Sequence, residues 1–443
     1  MGLFSIRIRT LAIGFVLFVV SWFLLSFLLR VDFIHALHET SEAFIYNQIF
    51  ASRARPSEDV ILLDEGQNEH SRQHYGNLIA SLDAAGAKVI ALDVLFNAER
   101  DSAQNILLIT STRKASRKII HATEFIGIDN DEIIPHRYHL RTLGNCPVDF
   151  ERANGVLLPF RDLLKAIKHL GHITHTASMT GREEHYFQPV ICYNDRLYPS
   201  LPLLAVMKFR DCPTDTLPHA PEEDVVVFKS DTIDTQSIIP INHRGQALIN
   251  FIPKKEFLTR TYLIDSVRSL IMREPTIFNN KIVLIGNSFD SQEQSNGPHF
   301  ETYPNLIIYA TLISQMLRGE NIREGILESI LYSLALLALW LVGLTFMSER
   351  LEQFKLLILR LVGQMLRLEG FERFKFWPWE YYALAFLFFL IVAALNLLLG
   401  IRIYIILPYV AFCASSLLSK RYYEKRLGDL IGTKKRIKYL DYY

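Results

Sequence analysis

The sequence predicts an α/β fold: an extracytoplasmic domain with a mainly parallel sheet and an antiparallel insertion, joined to four transmembrane α-helices. Three observations carry this expectation. Short apolar runs without polar alternation recur at Asp59–Glu65 (DVILLDE), Lys88–Phe96 (KVIALDVLF) and Lys281–Ser288 (KIVLIGNS), the pattern of strands buried on both faces. Ser71–Ala85 reads as a helix closed by Gly86, so the first two runs form a strand–helix–strand unit, a parallel crossover. Finally, Leu11–Leu29, Ser329–Met347, Tyr381–Gly400 and Ile403–Leu418 are each free of charged residues and near the length of a membrane helix.

The apolar excess of the chain, 50% hydrophobic over 443 residues, is concentrated in those four segments. No small-residue cleavage site follows the first, so it is read as an uncleaved anchor. Charge sets the orientation. Arg7 and Arg9 precede span one; Arg350, Lys355, Arg360, Arg367, Arg373 and Lys375 lie between spans two and three; eight Lys and Arg against three acids follow Leu418. By the positive-inside rule both termini are cytoplasmic and the chain sits in the inner membrane with its large domain outside. The expected organisation is 1–30 (N-terminus and span one), 31–328 (outer domain), 329–347 (span two), 348–380 (cytoplasmic amphipathic segment), 381–418 (spans three and four) and 419–443 (basic tail). Topology and anionic lipid account for the basic residues, and nucleic-acid binding is not expected. In 348–380 the apolar face is broad, which favours a helix lying on membrane lipid over a coiled coil. Of four cysteines, Cys413 falls in span four; Cys146, Cys192 and Cys212 lie outside, where one disulfide can form between an undetermined pair.

In order along the outer domain, Lys118–Thr123 is a third strand, Gly127–Asn145 is irregular, and Leu157–Leu170 is a helix ended by Gly171. His172–Ser178 and Tyr186–Tyr193 are strands flanking a turn at Gly181–Arg182, and Tyr198–Ser200 lead into the helix Leu203–Phe209. Val225–Phe228, Ser237–Ile241 and Ala247–Ile252 complete the antiparallel insertion. Lys281–Gly286 returns to the sheet, and Asn305–Leu317 is a helix leading towards span two.

If the three apolar strands are parallel, their carboxyl ends bring Asp64, Glu65, Asp93, Gly286, Asn287 and Ser288 to one edge, where such sheets bind ligands. These six are the candidate ligand-binding residues. For each Asp, helix capping or loop fixation competes with ligand contact; for Gly286–Ser288, an anion nest competes with a plain tight turn. All fourteen histidines fall between His35 and His299. His70 and His74 have the i, i+4 spacing of a helical metal pair but lack the Glu of HExxH, and are read as solvated or hydrogen-bonded. No metal and no cofactor are assigned. No catalytic residue is assigned either: a GxSxG elbow is absent, and Asp64, His299 and Ser288 are three common residues at loop ends.

The set RPSEDVILLDE, GAKVIALDVLF, GHITHTASMTGREEHYFQPVICYNDRLYPSLPLL, GQALINFIP, KIVLIGNS and YPNLIIYATLISQMLRGENI resembles, in order, the second type of the CHASE family, the extracellular sensor domains associated with bacterial cyclases and histidine kinases. The resemblance runs from about Asp32 to Leu327, with the usual one span before and three after. Tyr309–Ala310 stand where the family tends to have His before Ala. The resemblance implies a signal-input protein. The family usually continues into a catalytic domain, whereas about 25 residues follow span four here, so either the output is a separate cytoplasmic protein or the chain is a truncated relative. The expected protein is a homodimeric, non-enzymatic membrane receptor for a small ligand or an envelope protein. Docking of an envelope component without signalling is the alternative, and an extracytoplasmic hydrolase the third reading.

Overall fold

The structure is a computed structural model. It describes residues 3–28, 55–67, 70–98, 102–130, 132, 134–135, 138, 146–147, 150, 152–174, 186–214, 225–229, 236–242, 244–288, 294–296, 302–325, 329–338, 378–397, 401–403, 405–406, 408–419, 421–422 and 425–426. The chain divides into two units, Tyr46–Arg323 and the combination of Met1–Ile45 with Glu324–Tyr443.

The unit Tyr46–Arg323 is built on the predicted strands. β1 (Val60–Asp64), β2 (Val89–Leu92) and β3 (Ile119–Ile126) alternate with α2 (Arg72–Ala84) and α3 (Ser102–Lys114), α1 being the N-terminal helix Leu3–Leu28. β13 (Ile282–Gly286) inserts between β1 and β2, parallel to both, with Asp64 level with Gly286 and Leu92 level with Ile285. β12 (Thr261–Leu263) adds in parallel outside β1, and β3 lies beside β2. β3 also takes β5 (Leu170–His172) in parallel along His121–Thr123 and β4 (Gly155–Leu157) antiparallel along Glu124–Ile126. The sheet is therefore mixed and mostly parallel, as the uninterrupted Val/Ile/Leu runs require.

Alternate residues of each strand enter different cores. Val60, Leu62, Val89, Ala91, Ile282 and Leu284 pack with α5 (Leu201–Phe209), α8 (Asn305–Arg318) and the small hairpins. Ile61, Leu63, Ile90, Leu92, Val283 and Ile285 pack with α2, α3, the short α4 (Arg161–Ala166) and α7 (Val267–Arg273). The result is three layers with the sheet in the middle. Helix ends follow the sequence. Ser71 caps α2 by accepting from the His74 N–H at 3.2 Å, Ser200 caps α5 by accepting from the Leu203 N–H at 3.3 Å, and Gly86 turns the chain at φ +82° after α2.

The antiparallel insertion consists, among the described residues, of β6 (Tyr186–Phe187) with β11 (Ala247–Leu248), β7 (Val190–Tyr193) with β8 (Arg196–Pro199), and β9 (Val225–Lys229) with β10 (Gln236–Pro240). Several expectations are corrected. Leu157–Leu170 is not one helix: β4, α4 and the start of β5 share it, because β3 offers an unpaired edge on which Gly155–Leu157 and Leu170–His172 bury their backbone groups. Gly171 is thus a strand residue and not a helix stop. Tyr186–Tyr193 breaks into two strands at Gln188–Pro189, and Tyr198–Pro199 belong to β8, joined to β7 by Asn194 and Asp195 at φ +49° and +58°, a type I′ turn. The turn at Gly181–Arg182 lies outside the described residues, and so does the segment 348–377.

In the other unit, Phe18, Leu337, Ala385 and Phe412, one from each expected span, bury in a common apolar cluster. α1 and α9 (Pro378–Leu397) cover the first and third expected spans. Described side chains in these two helices run only over 8–10 and 12–24, and over 385–396. Among the described residues no helix is long and apolar enough to cross a membrane.

His121 on β3 is fully buried, its Nε2 3.1 Å from the Thr112 hydroxyl, and burial pushes its pKa down to about 3. Burial together with Lys208 and Lys168 lowers His169 to about 4. Both imidazoles are neutral when folded but take a proton near pH 6.5 when unfolded. Their contribution is fully present above pH 6.5 and is lost as pH falls towards 4 and then 3. His121 alone is expected to remove about 1.4 kcal/mol per pH unit over that window. Urea midpoints from pH 7 to pH 4.5 check this: the acid slope is expected to be shallower in His121→Gln than in the unaltered chain.

Candidate functional site

The parallel arrangement of β1, β13 and β2 places all six predicted residues at the carboxyl edge of the sheet. Asp64 ends β1 and is almost wholly buried. Its Oδ1 accepts from the backbone N–H of Gly66 at 3.0 Å and of Ser288 at 3.1 Å, and its Oδ2 accepts from the Ser288 hydroxyl. The carboxylate thereby ties the turn after β1 to the turn after β13. Loop fixation, one of the two roles foreseen for it, is the role its geometry displays. Asp64→Ala is expected to destabilise the domain by about 2 kcal/mol, because the buried Gly66 N–H and the half-buried Ser288 N–H lose their carboxylate acceptor, and Asp64→Asn by about half as much. Chemical denaturation of the two variants measures the difference.

Asp93 follows β2, its N–H donating to the Ile285 carbonyl at 2.8 Å, and its side chain is buried against Gly286. A Cβ at Gly286 would stand 3.1 Å from Asp93 Cβ, 3.2 Å from its Oδ2 and 3.3 Å from Leu306 Cδ1. Glycine is the residue that lets this carboxylate lie flat against the strand end. Asn287 and Ser288 continue directly from β13.

Glu65 connects this edge to a second group of side chains. Its N–H donates to the Gly286 carbonyl at 3.0 Å, and its Oε1 accepts from the Tyr75 hydroxyl at 2.5 Å. Burial raises the Glu65 pKa, opposed by the Tyr75 hydrogen bond and by His70; burial and the Glu65 carboxylate raise the Tyr75 hydroxyl. The Glu65 carbonyl accepts from His70 Nε2 at 2.9 Å. The His70 and His74 rings lie with centroids 4.7 Å apart. Asp265, in the turn between β12 and α7, presents Oδ1 at 3.9 Å from His70 Nδ1 and 3.7 Å from His74 Nε2. Burial, reinforced by His70, holds His74 below the usual imidazole range.

Sequence reasoning found the i, i+4 histidines but not Asp265. That residue is nearly two hundred positions away in the chain and reaches the edge because β12 runs parallel to β1, with Leu263 level with Asp64. Tyr75 was likewise missed; its place on the first turn of α2, one residue after His74, was the available signal.

None of the six predicted residues lines a cavity of about 500 Å³ at the amino ends of β3 and β5, which is bordered by Arg113, Lys165, Lys168, His169, Tyr138 and Thr214. Cys146 and Cys192 form the disulfide, and the buried Cys212 stands outside it.

No curated protein and no solved structure matches the chain. The family model of the CHASE2 domain matches residues 16–348, more than half of the chain. CHASE2 domains are extracellular sensor domains, typically non-catalytic, with a signal-input role. The chain belongs to the CHASE2 domain family.

Proposed function

We propose that this protein is a multi-pass, homodimeric receptor of the bacterial inner membrane. Its Tyr46–Arg323 domain lies outside the cytoplasm, takes an environmental ligand or an envelope protein at the carboxyl edge of its sheet, and passes the signal to a separate cytoplasmic output protein. The observation that carries the reading is the CHASE2 match, which extends from within the first expected span to just beyond the second.

Two physical features support the placement. The Cys146–Cys192 bond belongs to an oxidising compartment. In the other unit small polar residues are buried beside the apolar cluster, and large apolar residues lie on the surface. Thr10, Ser329, Ser333, Ser415 and Asn396 are buried, while Phe15, Val20, Phe23, Leu331, Leu395 and Leu418 are exposed. Small polar residues inside and large apolar ones outside suit a helix bundle solvated by lipid.

Ligand-driven signalling requires different affinities for two states. The edge offers a means, since Asp64, Glu65, Gly286 and Ser288 are joined in one hydrogen-bonded set that a ligand can rearrange. The test is co-purification of the detergent-solubilised full chain from native membranes, beside a version lacking 349–376 and the residues after Lys420. Recovery of a cyclase, kinase or regulator by the full chain alone is the expected result. Recovery of envelope proteins only, equally by both versions, replaces signalling with docking.

A further inference from the structure

We propose that His70, His74 and Asp265 form a binding site for one divalent transition-metal ion of the zinc class. The ion is held through His70 Nδ1, His74 Nε2 and an Asp265 carboxylate oxygen, with a fourth position open to solvent. The site stands whether or not the chain signals.

The Glu65 carbonyl can only accept, so His70 must carry its proton on Nε2, which leaves the Nδ1 lone pair facing Asp265. A metal-bound histidine is oriented in this way, its distal N–H given to a carbonyl. His74 Nε2 is buried and has no hydrogen-bond partner among the described residues, and it too faces the Asp265 carboxylate. The three donor atoms lie within 4.8 Å of one another.

The separations decide between the alternatives. At 3.7 and 3.9 Å the imidazole nitrogens are too far from Asp265 Oδ1 for hydrogen bonds. They are close to the donor–donor edge of roughly 3.4 Å that a tetrahedron with bonds near 2.05 Å requires. A doubly protonated pair would set two cations side by side, and neutral His70 sets its Nδ1 lone pair against a carboxylate; a dication between them relieves both. Two imidazoles and one carboxylate, without thiolate, select zinc or a neighbouring transition ion over calcium or magnesium. Accessibility agrees. The His70 side chain is 7% exposed, whereas His74 at 33% and Asp265 at 59% leave a route for the ion and for solvent.

The site also has a mechanical consequence. His70 and His74 flank the Ser71 cap of α2, and Asp265 lies in the turn that leads into α7, so the ion ties the start of one helix to the entry of the other beside the sheet edge.

Titration of the purified full chain with Co²⁺ alone, followed by visible absorption, tests the proposal. One equivalent is expected to give the d–d bands of a low-coordinate site and to be displaced by one equivalent of Zn²⁺. Asp265→Asn, at an exposed position where folding is not at risk, is expected to weaken this binding by at least about 100-fold, the upper end of what loss of an outer partner alone costs. His74→Ala is expected to do the same, while Asp162→Asn, a distant exposed carboxylate, binds as the unaltered chain does. No stoichiometric band in the unaltered chain, or unaltered binding in Asp265→Asn, overturns the site.

Discussion

Gly171→Ala is expected to lower the stability of the Tyr46–Arg323 domain by about 3 kcal/mol, the upper part of the range for overpacking a filled core. Gly171 is the middle residue of β5, paired with Ala122 of β3. A Cβ there would meet Leu201 Cα at 2.6 Å, its N at 2.9 Å and its Cβ at 3.2 Å. The nearest atoms are backbone, so no rotamer change relieves the clash, and α5 must retreat from the sheet. That helix carries Leu201, Leu203, Val206 and Met207, all fully buried, so a small displacement opens gaps along its whole length. Gly127→Ala is the control: its Cβ would meet nothing within 4 Å, and its effect is expected to stay within about 0.5 kcal/mol. Denaturant midpoints of the two variants give the comparison, and equal midpoints would mean that β5 and α5 are not in contact as described.

Removal of the disulfide ranks with it. Cys146 and Cys192 are separated by 46 residues and both are buried. Opening a loop of that length returns chain entropy to the unfolded state worth about 4 kcal/mol. The Cys146→Ala, Cys192→Ala double variant is therefore expected to lose between about 2 and 4 kcal/mol. Dithiothreitol is expected to shift the unaltered chain towards the variant's midpoint and to leave the variant where it is. Indifference of the unaltered chain to reductant would remove both the stabilising role and the support that the bond lends to an extracytoplasmic location.

How much of this was legible in the sequence depended on the range of the forces involved. β1, β2 and β13 were readable because a strand buried on both faces leaves an uninterrupted apolar run, and α2 because Ser71 and Gly86 mark its ends. The juxtaposition of Asp64, Asp93 and Gly286–Ser288 followed from parallel direction alone. What failed was decided by partners remote in sequence. Leu157–Leu170 has helical apolar spacing, yet the free edge of β3 takes its two ends as strands. β8 was hidden because Pro199 looks like a helix entry, although Asn194–Asp195 is a recognisable two-residue hairpin turn. The choice of Cys192 over Cys212 as the partner of Cys146, and the arrival of Asp265 beside His70 and His74, depend on tertiary placement that no local pattern encodes. The double role open to Asp64 illustrates the same limit. Its position was predictable, but its occupation by the Gly66 and Ser288 donors was not.

The proposed receptor requires its Tyr46–Arg323 domain to face away from the cytoplasm. Labelling of single introduced cysteines with a membrane-impermeant maleimide in intact spheroplasts tests this most directly. Ile128→Cys, at a side chain 76% exposed in the outer domain, is paired with Lys425→Cys, at an exposed position in the basic tail. Cys212 and Cys413 of the unaltered chain, neither of them in a disulfide, set the background. Modification of Ile128→Cys in intact spheroplasts, and of Lys425→Cys only after lysis, is the expected result. Labelling of Lys425→Cys with protection of Ile128→Cys before lysis would contradict it.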